Sequence, residues 1–546
     1  MVFFITTDLD CDVGRLLKPY CYFDSHEKTQ IFKAESLQAV FIGCQKIELE
    51  RHTVFIYGKA FPPKNKNLKS CLEEIAQKGA GQDQMNGNFD LIVFNKEGCS
   101  SVSLFGDRHG SFPIFFSNQK GVIKISPFFE LILKDNRDYR FNESVLLDYL
   151  CLGYTLPGES LWKSVQILPK SKYLNVLPLK QRLFLKDVVS KNGKDGAYYS
   201  SLKSAGKAFI ETIKETLEDE FKFLDIPQLD LTGGADTRIL MSCMSEAQLK
   251  NLNYRTFKSA FWDNTNYDSF VAKQLAERFH LNHFTARDYT IKQSDFFHLS
   301  YLSLRDQKQE LKKTMTGMFG SELFGGAVLD TNSLLDYKFS KRIDKIKDRL
   351  CQSVITLSDY KKVGSPWDKL KRKIIHSENL FREQDVAQQI LLRSQWSSMY
   401  SKYNISAFVM PYYYIKSGRV CPYIDTRMID FFLNCPREFL LNYILYEYVF
   451  IHFIDKKWTE IPFYSDMMKF VEVFSKWRPE ETVVNDVCAK PASGYQVYFE
   501  KNFSPSLFEG AFLEKLSVKD GSRIPEDVLF KICDLICFLS GLQAEE

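Results

Sequence analysis

From residue 1 to about 190 the apolar positions come in short runs rich in β-branched and aromatic residues, such as Thr53–Tyr57 and Leu91–Phe94. Punctuation such as Phe61-Pro62-Pro63-Lys64-Asn65-Lys66-Asn67 separates them. Runs this short, bounded by Pro and Asn, predict strands and turns, and hence a β-sheet domain. The polar stretch Ser190–Ala197 reads as a linker, and Ser200 to Glu220 has helical spacing. Next, Ile226–Leu231 predicts a strand, Gly233-Gly234 a turn, and Arg238–Met244 the body of a helix. Strand and helix patterns then alternate to about residue 330, as a parallel sheet requires. The remainder is mainly helical, with no internal repeat or low-complexity tract.

A chain of 546 residues is too long for one hydrophobic core, so two or three domains are expected. With 45% apolar residues it should be globular throughout. The net charge of +4 is small for this length and no long Lys/Arg run occurs, which argues against general nucleic-acid binding. The cluster Lys361, Lys362, Lys369, Lys371, Arg372 and Lys373 reads as a solvated helix face. There is no leader-like start, and no stretch approaches the roughly 18 apolar residues of a membrane span. Ile444–Ile454 and Val528–Leu542 are short and interrupted by charge. A cytoplasmic protein without a membrane span is expected. Thirteen Cys and eight His show neither Cys-x-x-Cys nor His-Glu-x-x-His spacing. Cys533 and Cys537 fall on one face of an apolar helix, where Cys behaves as a small hydrophobe, so buried reduced thiols are expected.

Candidate chemistry concentrates in Asp230-Leu231-Thr232-Gly233-Gly234-Ala235-Asp236-Thr237-Arg238. A glycine pair between a strand and a helix start lets backbone N–H groups and the helix N-terminus converge on an anion, and Asp236 offers a metal ligand beside it. An ordinary strand-to-helix turn uses the same residues, so the stretch alone leaves both readings open. The Lys of a Walker loop is missing. The stretch resembles the Ser-Gly-Gly-x-Asp-Ser pyrophosphate loop of ATP pyrophosphatases, with Thr232 and Thr237 in the hydroxyl positions and Asp236 as the acid.

Three further blocks follow in order. Tyr254–Ser259, with Asp268, Ala272, Leu275, Ala276 and His283 after it, resembles the strand and helix that come next in asparagine synthetases. Thr316-Gly317-Met318-Phe319-Gly320-Ser321-Glu322-Leu323-Phe324-Gly325-Gly326 is similar to that family's Ser-Gly-x-Gly-x-Asp-Glu-Leu-Phe-Gly-Gly segment. Arg419 to Pro436 resembles its Arg-x-Pro-Phe-Leu-Asp and the helix behind it. In the first part, Gly87–Phe94 and Gly106-Asp107-Arg108-His109-Gly110 to Phe116 resemble strands of the class II glutaminase domain, and Tyr149–Tyr154 and Ile167–Leu174 continue the likeness. Such glutaminases use an N-terminal Cys whose own amine is the base. Here Val2 follows Met1, and Tyr57-Gly58-Lys59-Ala60-Phe61-Pro62 replaces the Gly-x-x-x-Asn oxyanion element, so glutaminase activity is not expected.

The resemblance implies an α/β chain: an N-terminal Ntn-hydrolase-like β-sandwich with helices over residues 1–190, then a parallel-sheet ATP-pyrophosphatase (PP-loop) domain with a helical C-terminal part over 200–546. It implies a ligase that adenylates a carboxylate, releasing pyrophosphate, for attack by a substrate amine or by ammonia. The implied ATP-binding residues are Leu231, Thr232, Gly233, Gly234, Asp236, Thr237, Ser259, Thr316 and Gly317. Mg²⁺ would be held by Asp236 and by Glu322, which stands beside Ser321 where the family has its second Asp; a surface acid at a helix start is the other reading of Glu322. Lys490 matches the family's late Lys, which stabilises developing negative charge, although a solvated loop lysine fits the residues too. The implied partners are a small-molecule or peptide carboxylate and an amine substrate, with partner proteins of a biosynthetic pathway. β-Lactam synthetases and lasso-peptide cyclases resemble this chain in lacking the glutaminase nucleophile. A glutamine-dependent asparagine synthetase and a nucleotide-binding pseudoenzyme are the alternatives.

Overall fold

The computed structural model describes residues 2–17, 29–97, 101–136, 140–152, 159–169, 172–187, 199–223, 226–259, 263–288, 314–317, 320–324, 368, 370–373, 419–440 and 443–461. The linker at 190–197, the cysteines at 533 and 537 and Lys490 lie outside these residues. In the front half the strands are β1 (Val2–Thr6), β2 (Thr29–Ala34), β3 (Leu37–Ile42), β4 (Gln45–Glu48), β5 (His52–Phe61), β6 (Asn86–Asn95), β7 (Val102–Gly106), β8 (Phe115–Gln119), β9 (Val122–Ser126), β10 (Gln166–Ile167), β11 (Lys172–Leu177) and β12 (Arg182–Asp187). They form two six-stranded sheets, ordered β10-β8-β9-β1-β3-β2 and β12-β11-β7-β6-β5-β4. Every pairing is antiparallel.

Alternation along β6 shows how the layers form, because successive side chains leave a strand on opposite faces. Ile92 and Phe94 join Phe3, Ile5, Phe41 and Ile125 of the other sheet in one core. Leu91 and Val93 point the other way, into a second core with Leu72 and Ile75. The front helices are α1 (Val13–Leu17), α2 (Leu68–Lys78), α3 (Phe129–Asn136) and α4 (Glu143–Leu152). Of these, α2 supplies Leu72 and Ile75, starting at an Asn67 side-chain cap and stopping at left-handed Gly79. On the opposite sheet α3 packs through Phe129, edge-on to Phe115 and stacked on Trp162. Each such fully buried apolar side chain contributes about 1.5–3 kcal/mol, which makes these layers the stable part of the front half.

The back half continues with α5 (Leu202–Phe223), β13 (Gln228–Asp230), α6 (Ala235–Cys243), α7 (Glu246–Asn251), β14 (Asn253–Ser259), α8 (Asp263–Arg278), β15 (Asn282–Asp288), β16 (Thr314–Met315) and β17 (Arg419–Val420). Its sheet runs β15-β14-β13-β16-β17 with every pairing parallel. The expected helix from Ser200 is α5, whose Ala205, Phe209, Ile213, Leu217 and Glu220 recur at helical spacing and are buried. Leu229, Leu231, Tyr254 and Met315 of the sheet pack with Phe209 and Ile213 of α5 and Val271 and Leu275 of α8. The chain is therefore mixed α/β, with two antiparallel sheets followed by a parallel one.

Two expectations are refined. Within the Lys361–Lys373 cluster, Lys373 is not solvated: its ammonium pairs with buried Asp148 of α4 and lies 3.3 Å from Glu159, so it ties the back half to the front. The cysteines Cys44, Cys71, Cys421 and Cys435 are buried and free of disulfides. Among the described residues no helix is long and apolar enough to cross a membrane.

Candidate functional site

In the parallel sheet the strand order reverses direction between β13 and β16, since β14 and β15 lie on one side and β16 and β17 on the other. Chains leaving the carboxyl ends of two such neighbours part to opposite faces and leave a crevice between them. The loop Leu231–Gly234 leaves β13 there, and Thr316-Gly317 leaves β16 beside it. Two sequence blocks more than eighty residues apart thus meet at the one place where this topology opens a crevice.

The loop itself is held from below. Leu231 is fully buried, its N–H donates to the Arg255 carbonyl at 2.7 Å, and its carbonyl accepts from Thr256 Oγ1 at 2.7 Å. Thr256 Oγ1 in turn lies 2.8 Å from His283 Nε2 on β15, and burial depresses the pKa of that imidazole. Above this, the Thr232 and Thr237 hydroxyls lie 3.0 Å apart, and the Gly234 N–H donates to Thr232 Oγ1 at 3.3 Å. The hydroxyl pair therefore closes the loop on itself. Gly234 is the N-cap of α6 and brings no side chain to that helix end, so the positive end of the helix dipole faces the crevice without a side-chain cap.

Glycine is required where the second block touches the first. A Cβ on Gly317 would sit 2.9 Å from both the N and Oγ1 of Thr237, and one on Gly320 would sit 2.5 Å from Asp236 Oδ1. Backbone thus packs directly on the acid-bearing turn. The Tyr446 hydroxyl donates to Asp236 Oδ1, and the Tyr423 hydroxyl donates to the Asp236 carbonyl at 2.9 Å. Burial first, and the nearby Asp236 charge second, push both phenol pKa values well above their usual value, which keeps both groups protonated donors. Asp230 has a different role: its carboxylate takes Arg255 Nε at 2.9 Å and Nη2 at 2.7 Å.

Of the residues expected at the site, Leu231, Thr232, Gly233, Gly234, Asp236, Thr237, Thr316 and Gly317 come together here. Ser259 is the last residue of β14, on the same carboxyl edge of the sheet. Glu322 lies in the short helix Gly320–Leu323 that begins against Asp236, but its side chain is outside the described residues, as is all of Lys490. Sequence reasoning missed the hydrogen-bonding parts of Tyr423, Tyr446 and Arg238. Arg238 is fully buried; its guanidinium donates to Gly233 O at 3.0 Å, Trp458 O at 3.1 Å and Ile461 O at 2.5 Å, stapling the glycine turn to the segment behind it. A signal did exist for it. Ile239, Leu240 and Met241 are all buried after Arg238, and a cation inside a helix stretch with no exposed face must find acceptors.

No family model matches the chain, and no curated protein matches it either.

Proposed function

We propose that the chain is an ATP-dependent amide-bond ligase of the asparagine synthetase type, forming AMP and pyrophosphate, with its back half (200–546) as the PP-loop ligase domain. One observation carries this reading: the Gly233-Gly234-x-Asp236-Thr237 turn and the Thr316-Gly317-x-x-Gly320 block pack backbone to side chain at the reversal point of a parallel sheet. Those two blocks are what the resemblance assigns to ATP. The close glycine backbone and the α6 N-terminus suit a pyrophosphate group, which needs N–H donors and positive potential rather than side-chain bulk.

In the reaction an oxygen of the substrate carboxylate attacks the α-phosphorus, and the bond to the bridging oxygen breaks to release pyrophosphate. An amine nitrogen then attacks the acyl carbon, losing a proton, and AMP leaves. The loop amides and α6 hold the departing pyrophosphate, while Asp236, fixed by Tyr446, is the carboxylate suited to Mg²⁺. Asp236, with Glu322 of the following block, would hold Mg²⁺ there, and the cation would supply neutralisation of the negative charge that leaves on pyrophosphate. A substrate amine held beside the adenylate gains large effective molarity, which favours a tethered nucleophile over free ammonia.

The front half (1–190) is best read as a glutaminase-like Ntn sandwich without glutaminase chemistry. Pro62 replaces the oxyanion Asn, and Lys59 is ion-paired to Glu220 of α5. Two face-to-face antiparallel sheets with helices outside are the layers such a domain needs.

The test is exchange of labelled pyrophosphate into ATP with Mg²⁺ and a panel of carboxylic and amino acids. Asp236→Asn keeps the shape and an acceptor for Tyr446 but removes the charge. Exchange in the parent that falls on the order of 100-fold or more in this variant is the expected result. Exchange unchanged in the variant would remove the site assignment. A parent that binds Mg²⁺-ATP without exchange over the whole panel would replace the ligase with a nucleotide-binding pseudoenzyme.

A further inference from the structure

Polar residues at one end of the front half, in and beside the strands that resemble the glutaminase domain, are engaged with the back half. Asn88, 2% exposed at the start of β6, donates from Nδ2 to Ser111 Oγ at 2.8 Å and to the Ile424 carbonyl at 2.7 Å. Lys59 pairs with buried Glu220. Arg108 reaches Asp430 Oδ2 through Nε at 2.8 Å, and His109 Nε2 lies 2.8 Å from Asp430 Oδ1, on the helix Thr426–Asn434. Phe112 packs against the core of both halves.

Backbone geometry aims these groups. Gly58 and Gly87, near the ends of the paired strands β5 and β6, have φ of +89° and +90°. A Cβ at Gly58 would lie 2.3 Å from the Asn88 carbonyl oxygen, and one at Gly87 would lie 2.2 Å from that of Lys59. Only glycine fits either place. Both glycines lie within the unbroken β5–β6 pairing and flank Lys59 and Asn88, which stand opposite each other in it.

Ile424, the Asn88 acceptor, closes the buried turn Pro422–Ile424, and its neighbour Tyr423 holds the Asp236 carbonyl. A path of three residues thus runs from the front half to the first turn of α6: Asn88 to the Ile424 carbonyl, along one peptide to Tyr423, and through its hydroxyl to Asp236. The same turn leads into Asp425, which caps the next helix through the Arg427 N–H and pairs with the Arg427 guanidinium at 2.9 Å. Arg427 also reaches Asp219 of α5 at 2.7 Å and lies over the Phe61 ring of the front half. The turn is thus held by Asn88 of the front half and, through Asp425 and Arg427, by α5.

We infer that the front half is a brace for the phosphate loop, and that Asn88 is a positioning residue which sets Asp236 by way of Ile424 and Tyr423. The part concerning nucleotide rests on the reading of the loop as an ATP site; the mechanical part does not.

The test compares Asn88→Ala, Tyr423→Phe, the double variant and Lys64→Ala. Lys64 pairs with Glu215 across the same halves but in solvent, so its loss controls for a general weakening of contact. Amide hydrogen exchange of the unliganded protein is read over residues 231–237. Both single variants should exchange several-fold faster there, the double no faster than the worse single, and Lys64→Ala like the parent. Titration of Mg²⁺-ATP by calorimetry should show the same order, with each single loss about 5–10-fold, the scale of one buried hydrogen bond. Non-additivity is the signature, since residues acting through one path cannot lose the same effect twice. Unchanged loop exchange in Asn88→Ala, or effects that multiply in the double variant, would overturn the brace. Failure of the parent to bind Mg²⁺-ATP would instead sink the nucleotide reading, with loop exchange still deciding the brace. Tyr423→Phe, which keeps the shape of the ring, decides the issue if Asn88→Ala does not fold.

Discussion

Asp90 carries a stability prediction that is independent of any catalytic role. It sits in the middle of β6, opposite Tyr57 of β5 and Gly106 of β7, with no exposed surface and, among the described residues, no hydrogen-bond partner for either carboxylate oxygen. By strand alternation it points with Ile92 and Phe94 into the space between the two front sheets. Burial, and secondly the charge of Asp107, raise its pKa well above the usual carboxylate value. In the unfolded chain it titrates near its ordinary pKa of about 3.9. Below that pH both states are protonated and Asp90 brings no pH-dependent penalty. As pH rises, the unfolded chain releases the proton while the folded one keeps it, so stability falls until the folded pKa is passed. Each pH unit inside that window costs about 1.4 kcal/mol. For a unit of this size, 1 kcal/mol moves the melting temperature by about 2–4 °C. Asp90→Asn is nearly isosteric and cannot titrate. Thermal unfolding followed by circular dichroism from pH 4 upward should therefore show the variant gaining on the parent by roughly 3–6 °C per pH unit until the folded pKa is passed. Other carboxylates titrate in both proteins and cancel in the difference. Parallel curves would mean that Asp90 is ionised in the folded protein, and the reasoning from its burial would fail.

Gly320→Ala sets two effects against each other. Alanine should favour the short helix by about 1 kcal/mol, yet its methyl would lie 2.5 Å from Asp236 Oδ1, a contact that side chains do not make. Displacement should win: the melting temperature holds within a few degrees while pyrophosphate exchange drops by at least about tenfold, and exchange at the parent rate would show that the carboxylate position is unimportant. Lys490→Ala should leave Mg²⁺-ATP affinity within a few-fold while turnover falls roughly 100-fold, the scale for one preorganised charged donor. Near-normal turnover would make it a plain loop lysine.

Much of the fold is local in origin and could be read ahead of the structure. Runs such as Leu91–Phe94 have no length for a helix, and Ser200 to Glu220 carries its buried residues at helical spacing, so element types follow from the chain itself. Pairing does not. Strand β1 lies between β3 and β9, and its Ile5 pairs with Ile125, a choice set by which faces can close one core rather than by anything near either residue. The central strands β13 and β16 are three and two residues long. No periodicity can be seen in so short a run, and only the glycines after them mark the place.

The candidate site divides along the same physical line. Gly317 and Gly320 were legible because a Cβ has no room there, a constraint that leaves its mark at the residue itself. Tyr446 was not, since it lies among Leu445, Val449 and Phe450 and reads as core until its hydroxyl is found on Asp236. The contact between the halves shows the principle most fully. Nothing in sequence marks Lys59, Asn88, Arg108 and His109 as a joint, because each finds its partner between 161 and 336 residues away. Buried ion pairs add little net stability, since desolvation offsets most of the Coulomb gain, but a mispaired one is costly. An apolar joint of the same area could slip with small penalty, whereas buried Glu220 would be left without Lys59 if the halves moved apart. Together with Gly58 and Gly87, which flank the Lys59–Asn88 pair and admit no side chain, this makes the joint a device for orientation more than for adhesion. Orientation is what a loop held through Ile424 and Tyr423 requires of the half that braces it.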